Sequence, residues 1–170
     1  GYPTPEEERE IIYRMGVKPP EPKQILTTED LLRLQDVAAN TFVHHALVDY
    51  VVRIVTATRE PEKFGMPDAK AWIAYGASPR ASLGIISASR ALALVRGRDY
   101  VIPQDVVEVI PDVLRHRLVL TYDALADEIS AETVVNRILQ TVALPQVNAI
   151  PQQGHSVPPV MAGAAGASGR

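Results

Sequence analysis

Cysteine is absent from the 170 residues, which excludes disulfide bonds and thiolate metal sites. No apolar run is long enough to cross a bilayer, and no signal peptide is recognisable at the start of the chain. The absence of disulfide bonds is compatible with a reducing compartment. We therefore expect a cytoplasmic protein without a membrane span.

Sequence motifs for phosphate and metal binding are also missing. The chain contains no G-x-x-x-x-G-K-[ST] loop, no G-x-G-x-x-G and no H-E-x-x-H. His44 and His45 are adjacent, so on a helix they point about 100° apart and do not share a face for a metal. We expect no metal site, and no ATP hydrolysis by this chain alone. The net charge of −3 does not favour nonspecific nucleic-acid binding, although residues 76–118 carry a net +2.

Helix signals dominate the sequence and no stretch predicts a credible sheet, so the predicted fold is an all-α helical bundle. Six helices are expected, beginning near Pro5, Thr28, Val43, Pro79, Pro103 and Ala131. The third has the clearest apolar stripe, with a period of three to four residues. In the fifth, an apolar stripe running to Leu118 contains Pro111, which predicts a kink or a break. The segment "EPEKFGMPDAKAWIAYG" is predicted to be a loop.

Composition predicts three regions along the chain. Residues 1–24 are expected to form a connecting helix and a proline-rich linker, and residues 25–144 the helical domain. Residues 145–170 are rich in proline, glycine and alanine, and they predict a flexible, disordered tail. Because the chain begins with Gly1 rather than methionine, we expect a fragment of a longer protein.

The stretch "YGASPRAS" places a cation at the start of the fourth helix. Ser78 is a suitable N-cap, Pro79 suits the first helical position, and Arg80 then lies in the first turn. A helix N-terminus carries partial positive charge, which disfavours a guanidinium but favours an anion. Arg80 is therefore a candidate phosphate contact. The alternative, an ordinary surface arginine paired with Asp99 or with another carboxylate, is equally compatible with the spacing.

The far end of this helix has ordinary termination signals. Gly97 is suited to end it, and Arg96 and Arg98 suit the negative end of the helix dipole. Within the helix, Gly84 is expected to allow another helix to approach closely.

A family resemblance is carried by "GASPRAS", "ALALVRGRDYVIPQDV" and "VLRHRL", in that order and spacing. Together they resemble the C-terminal lid of MoxR-family AAA+ ATPases, over roughly residues 1–144. The resemblance implies an AAA+ lid-type bundle whose nucleotide-binding core precedes Gly1. It implies that Arg80 is the second-sensor arginine, with Ser78 and Pro79 forming its helix start, and that the intact protein uses ATP and Mg²⁺.

The same resemblance implies partners. They are the AAA+ core of the same chain, neighbouring subunits of a homo-oligomeric ring, and proteins with von Willebrand factor A domains. It also implies chaperone-like maturation of other proteins. Arg115, His116 and Arg117 are candidates for the interface between subunits, although a solvated helix end is an alternative for them.

Two other functions remain open at the level of sequence. One is a helical nucleic-acid-binding module, in which residues 79–96 form a recognition helix that presents Arg80, Arg90 and Arg96. The other is a protein-docking bundle that makes no nucleotide contact.

Overall fold

The computed structural model describes residues 1–16 and 21–147, which form a mainly helical protein with one small sheet. In chain order the helices are α1 (Pro5–Gly16), α2 (Thr28–Asn40), α3 (His45–Ala57), α4 (Ala69–Trp72), α5 (Pro79–Val95), α6 (Pro103–Leu114), α7 (Tyr122–Ala126) and α8 (Ala131–Thr141). The strands are β1 (Ile73–Tyr75) and β2 (Val119–Leu120). Contacts divide the chain into two units, one ending at Gln35 and the other beginning at Asp36.

The first unit begins with a reciprocal capping box. The backbone N–H of Thr4 donates to Oε2 of Glu7 over 2.7 Å, and the N–H of Glu7 donates to Oγ1 of Thr4 over 3.4 Å. Thr27 and Asp30 repeat this arrangement at the start of α2, with both backbone-to-side-chain distances at 3.1 Å. The two helix starts therefore follow the local signals of the sequence.

The second unit contains the hydrophobic core. Helix α5 packs against α3 and α6, and α8 packs against α6 and α3. Helix α3 begins two residues after the predicted Val43, and its apolar stripe is fully buried from Leu47 to Val55. The main aliphatic and aromatic side chains of the core are Leu47, Tyr50, Val51, Ile54, Val55, Ile85, Val106, Ile110, Leu114, Val134, Val135 and Ile138. The all-α fold class is thus confirmed for the described residues.

Two glycines shape α5. A Cβ atom at Gly84 would lie 3.3 Å from Cγ1 of Val113, so the missing side chain lets α6 approach closely. Gly97 has a φ angle of +72°, the left-handed conformation that glycine adopts without strain. Its N–H donates to the carbonyl of Leu94, and the N–H of Arg98 donates to the carbonyl of Ala93, each over 2.9 Å. These bonds complete the end of the helix.

The prediction that no sheet forms was wrong. Strands β1 and β2 pair in an antiparallel manner, with Ile73 opposite Leu120 and Tyr75 opposite Val119. The predicted loop before α5 also contains the 3₁₀ turn Pro61–Phe64 and helix α4. These elements are too short to show a period in the sequence, and the strands find each other only through tertiary contact.

Helix α6 differs from its prediction as well. It ends at Leu114 rather than near Leu118, and it runs through Pro111 without a break. Pro111 stands in the last turn, where its missing N–H removes one hydrogen bond, and its carbonyl still accepts from the N–H of Arg115 over 3.0 Å. Most of the predicted C-terminal tail, residues 148–170, lies outside the described residues.

Candidate functional site

The start of α5 has the geometry that its sequence predicts. Ser78 occupies the N-cap position with φ −79° and ψ 168°, and Pro79 is the first helical residue. The carbonyl of Ser78 accepts from the N–H of Ala81 over 2.8 Å, which closes the first turn. Ala81 is buried, whereas Ser78, Pro79 and Arg80 are exposed. The first turn is therefore anchored on one side and open to solvent on the other.

Arg80 is exposed in that first turn. Among residues 1–16 and 21–147, the ion pairs do not include Arg80, so Asp99 does not neutralise it. The Ser78 side chain makes no capping hydrogen bond. The positive helix terminus and the guanidinium thus lie close together without a neutralising side chain from the described chain. This arrangement is chemically suited to an anion.

The segment that leads into α5 is held by the end of α3. The N–H of the buried Ala77 donates to Oγ1 of Thr58 over 2.9 Å. Thr58 is itself fully buried, and its hydroxyl donates to the carbonyl of Val55 over 2.6 Å. No local sequence signal points to Thr58, because the two residues joined by this hydrogen bond are 19 positions apart.

The other end of α5 carries an ion cluster that the sequence did not reveal. Asp105 is fully buried and accepts two hydrogen bonds from Arg98, each 2.6 Å long, and one of 3.1 Å from Arg96. Arg96 also contacts both carboxylate oxygens of Glu108 over 2.7 Å. The two arginines therefore do more than complement the dipole of α5: they bind its C-terminal end to the start of α6.

The Asp105 carboxylate is held in its charged form. Burial on its own raises its pKa, but the hydrogen bonds from Arg98, from the N–H of Ile102 and from Arg96 outweigh it, and the pKa lies below its usual range. The side chain of Asp105 accepts from the Ile102 N–H over 3.0 Å and so also caps α6. The sequence signal for this cap is the acidic residue Asp105 at the third position of α6, three residues after Ile102.

The three candidate interface residues occupy the turn after α6. Arg115 forms ion pairs with Asp112 over 3.0 Å and with Glu132 over 3.7 Å, and all three side chains remain largely exposed. His116 is exposed and Arg117 is half-buried. The Nε atom of Arg117 is buried and has no partner among the described residues. Their role in an interface stays a prediction.

In residues 1–16 and 21–147, no group of three or more histidines or acids is placed to hold a metal ion. None of the helices in that part of the chain combines the length and the apolar character needed to cross a bilayer.

Comparison with known proteins gives a consistent set of relatives. The protein-family model for the AAA lid domain matches residues 68–138, which contain the start of α5 and the whole of α6. The Mycobacterium tuberculosis protein Chaperone MoxR1 is 82% identical over 170 residues, which are 100% of this chain and 45% of that protein. The uncharacterized Bacillus subtilis protein YeaC is 32% identical over 149 residues, 85% of this chain and 43% of YeaC.

A solved structure shares the fold. The crystal structure of a protein assigned as an ATPase from Cytophaga hutchinsonii aligns with this chain with a TM-score of 0.79 and 31% sequence identity. The alignment covers 86% of this chain and 45% of the Cytophaga hutchinsonii chain. The chain spans less than half the length of these relatives. The lid-domain match, the relatives and the helical fold lead to one conclusion: the chain belongs to the MoxR family of AAA+ ATPases and contains its AAA lid domain.

Proposed function

We propose that this lid domain senses bound nucleotide through Arg80 and couples ATP hydrolysis in the intact protein to movement of the lid. The observation that carries the proposal is the exposed guanidinium in the first turn of α5, which has no ion-pair partner among the described residues. A phosphate would neutralise both this charge and the positive end of the helix.

The residues at this helix start fit a phosphate group. The guanidinium of Arg80 has a planar set of N–H donors that matches two phosphate oxygens at once. The Ser78 side chain is exposed, and its hydroxyl takes part in no hydrogen bond among the described residues, so it can donate to a phosphate oxygen. ATP, when bound, supplies the phosphoryl group that is transferred to water. Arg80 would stabilise negative charge on that group, which is the usual contribution of an arginine in phosphoryl transfer.

The described residues do not fit a magnesium site. They contain no cluster of three or more acids or histidines placed around a common point. We therefore propose that Mg²⁺ is held by the ATPase core of the same chain. A nucleotide site shared between core and lid would also couple hydrolysis to the proposed lid movement. Loss of the contact between Arg80 and the terminal phosphate would release the lid.

The wider role is proposed by analogy with the family. We propose chaperone-like maturation of other proteins by a homo-oligomeric ring, with proteins containing von Willebrand factor A domains among the partners. Arg115, His116 and Arg117 are proposed to contact the neighbouring subunit. This is compatible with the exposure of His116 and with the solvent-accessible ion pair between Arg115 and Asp112.

Nucleic-acid binding is the less well supported function. A recognition helix over residues 79–96 would need its arginines free to contact phosphates or bases. Arg96 is engaged with Asp105 and Glu108, and Arg90 is half-buried. Only Arg80 of the three is both exposed and outside the ion pairs of the described residues, and one arginine is too few for such an interface.

Substitution of Arg80 in the intact protein tests the proposed function. Because Arg80 is exposed and makes no ion pair in the described chain, Arg80→Ala should change the free energy of unfolding by less than about 0.5 kcal/mol. The kcat for ATP hydrolysis should fall by about a hundredfold, the typical loss when a donor to transition-state charge is removed. Steady-state phosphate release and urea unfolding measure the two quantities.

Arg137→Ala is the matched control, since Arg137 is an exposed arginine on α8 outside the ion pairs of the described residues. Its kcat should stay at the wild-type value. An Arg80→Ala protein that is folded and hydrolyses ATP at the wild-type rate would refute the sensing role.

A further inference from the structure

The chain passes unusually close to the end of α3 just before α5 begins. A Cβ atom built on Gly76 would overlap the backbone carbonyl of Thr58 and would lie 2.7 Å from Cγ of Arg59. A side chain at position 76 therefore requires the backbone of this crossing to move. Gly76 is needed here for close approach, and not for a special φ angle.

The next residue, Ala77, is held by a hydrogen bond from its backbone N–H. Ala77 is fully buried, so its N–H is shielded from water, and Oγ1 of Thr58 accepts from it over 2.9 Å. The same hydroxyl donates over 2.6 Å to the carbonyl of Val55, which lies in the last turn of α3. One side chain thus satisfies a carbonyl in the buried last turn of α3 and the N–H of the segment that enters α5.

Arg80 follows this anchored point by three residues. Ser78 and Pro79 lie between them, and Pro79 has a restricted φ angle. The backbone from Ala77 to Arg80 therefore has little freedom once Ala77 is held against α3. The first turn of α5 is therefore held by this anchor together with the buried Ala81.

We propose that Thr58 is a positioning residue for Arg80. Its hydroxyl holds the start of α5 against α3 so that the guanidinium is presented at a fixed place to the phosphates. This inference rests on the proposed function, because it requires that Arg80 act in ATP hydrolysis. Thr58 itself is fully buried, so its hydroxyl would act through the backbone and not by direct contact with the phosphates.

The test uses two substitutions in the intact protein. Thr58→Val keeps the shape of the side chain but removes the donor and the acceptor, whereas Thr58→Ser keeps both. Misplacement of a reacting group by about 1 Å can lower a rate by about a hundredfold, so Thr58→Val should lower kcat by about tenfold to a hundredfold. Thr58→Ser should stay within about threefold of wild type, and the KM for ATP should change less than kcat in both variants.

A double-mutant cycle separates positioning from stability. If Thr58 acts through Arg80, Thr58→Val should have an effect on kcat of less than about twofold in the Arg80→Ala background. Urea unfolding of each variant defines conditions in which it is fully folded, and kcat is compared only there. A purely structural role would lower the unfolding midpoint of Thr58→Val without changing kcat of the folded protein.

Two results would overturn the inference. One is a folded Thr58→Val protein with wild-type kcat while Arg80→Ala is impaired, which leaves the proposed function intact. The other is an effect of Thr58→Val that is just as large in the Arg80→Ala background. If Arg80→Ala itself hydrolyses ATP normally, the proposed function fails first, and the positioning role fails with it.

Discussion

The buried carboxylate of Asp105 offers the sharpest test of how α5 and α6 are held together. It is fully buried and accepts hydrogen bonds from Arg98, Arg96 and the N–H of Ile102. The substitution Asp105→Asn keeps the shape of the side chain but removes its charge. It also replaces one acceptor oxygen by an NH₂ group, which then faces the donors of Arg98.

The expected loss of stability follows from these contacts. Removing one partner of a buried ion pair destabilises a protein by about 3–5 kcal/mol, because a buried charge is left without compensation. The side chains of Arg98 and Arg96 are 20% and 40% exposed, so water recovers part of that loss. We expect Asp105→Asn to lower the free energy of unfolding by about 2–4 kcal/mol.

Urea unfolding of the 170-residue chain at neutral pH, followed by circular dichroism at 222 nm, measures this loss. Asp112→Asn is the matched control, since Asp112 lies on the same helix with a 75% exposed side chain and pairs with Arg115. It should change stability by less than about 1 kcal/mol. If the two substitutions were equally mild, Asp105 would not hold the helices together.

The effect of Asp105 should also depend on pH in a defined direction. Its pKa in the folded protein lies below the usual value, so the charged form stabilises the fold. That contribution is complete above the unfolded pKa of about 4 and is lost as the pH falls through the lower native pKa. The stability difference between wild type and Asp105→Asn should therefore shrink as the pH is lowered below about 4. A difference that grows on acidification would contradict the sign of the shift.

Two further comparisons test local packing and capping by urea unfolding. Gly76→Ala should destabilise the chain by at least about 2 kcal/mol, because the added methyl group overlaps the carbonyl of Thr58. Gly84→Ala should stay within about 1 kcal/mol, since its better helix propensity offsets a tight contact with a valine methyl group; equal effects at the two glycines would contradict this reasoning. Ser130→Ala should lower stability by about 1 kcal/mol because its hydroxyl caps α8, whereas Ser78→Ala should stay within about 0.5 kcal/mol because its side chain makes no such bond. A Ser78→Ala loss as large as that of Ser130→Ala would show a cap that the structure lacks.

Helix positions were largely predictable, because their signals are local. Ser130 and Thr4 accept the backbone hydrogen bonds that cap α8 and α1, and each lies one position before the predicted start of its helix. Helix α5 begins at Pro79 as expected and ends within a residue of the prediction. Each of these features involves residues within one or two helical turns, so the sequence pattern contains the whole interaction.

The short elements were not predictable for the opposite reason. Ile73 pairs with Leu120 across 47 positions, and neither strand is long enough to show alternating burial. The pairing of Arg98 with Asp105 was not predicted, although only seven positions separate the two residues. Their side chains face each other because of the turn at Gly97, and that turn is defined only in the folded structure. Local charge rules predicted a favourable helix end and did not predict a buried ion cluster.

The candidate site at the start of α5 was likewise predictable only in part. The position of Arg80 in the first turn of α5 was predicted from Ser78 and Pro79, and its exposure is visible only in the fold. Its role as a phosphate contact stays a prediction that the Arg80→Ala experiment tests. The hydrogen bond from Ala77 to Thr58 had no sequence signal at all.

By itself, the sequence determined which residues form the principal helices and where a cation meets the positive end of one of them, since caps, prolines and apolar periods act over a few residues. Tertiary structure alone decided which side chains are left without partners and which backbone groups are shielded from water. Burial of Asp105 and Thr58 depends on segments that approach each other only after the helices pack. The energy of a polar group depends on that burial, so its contribution could be known only from the fold.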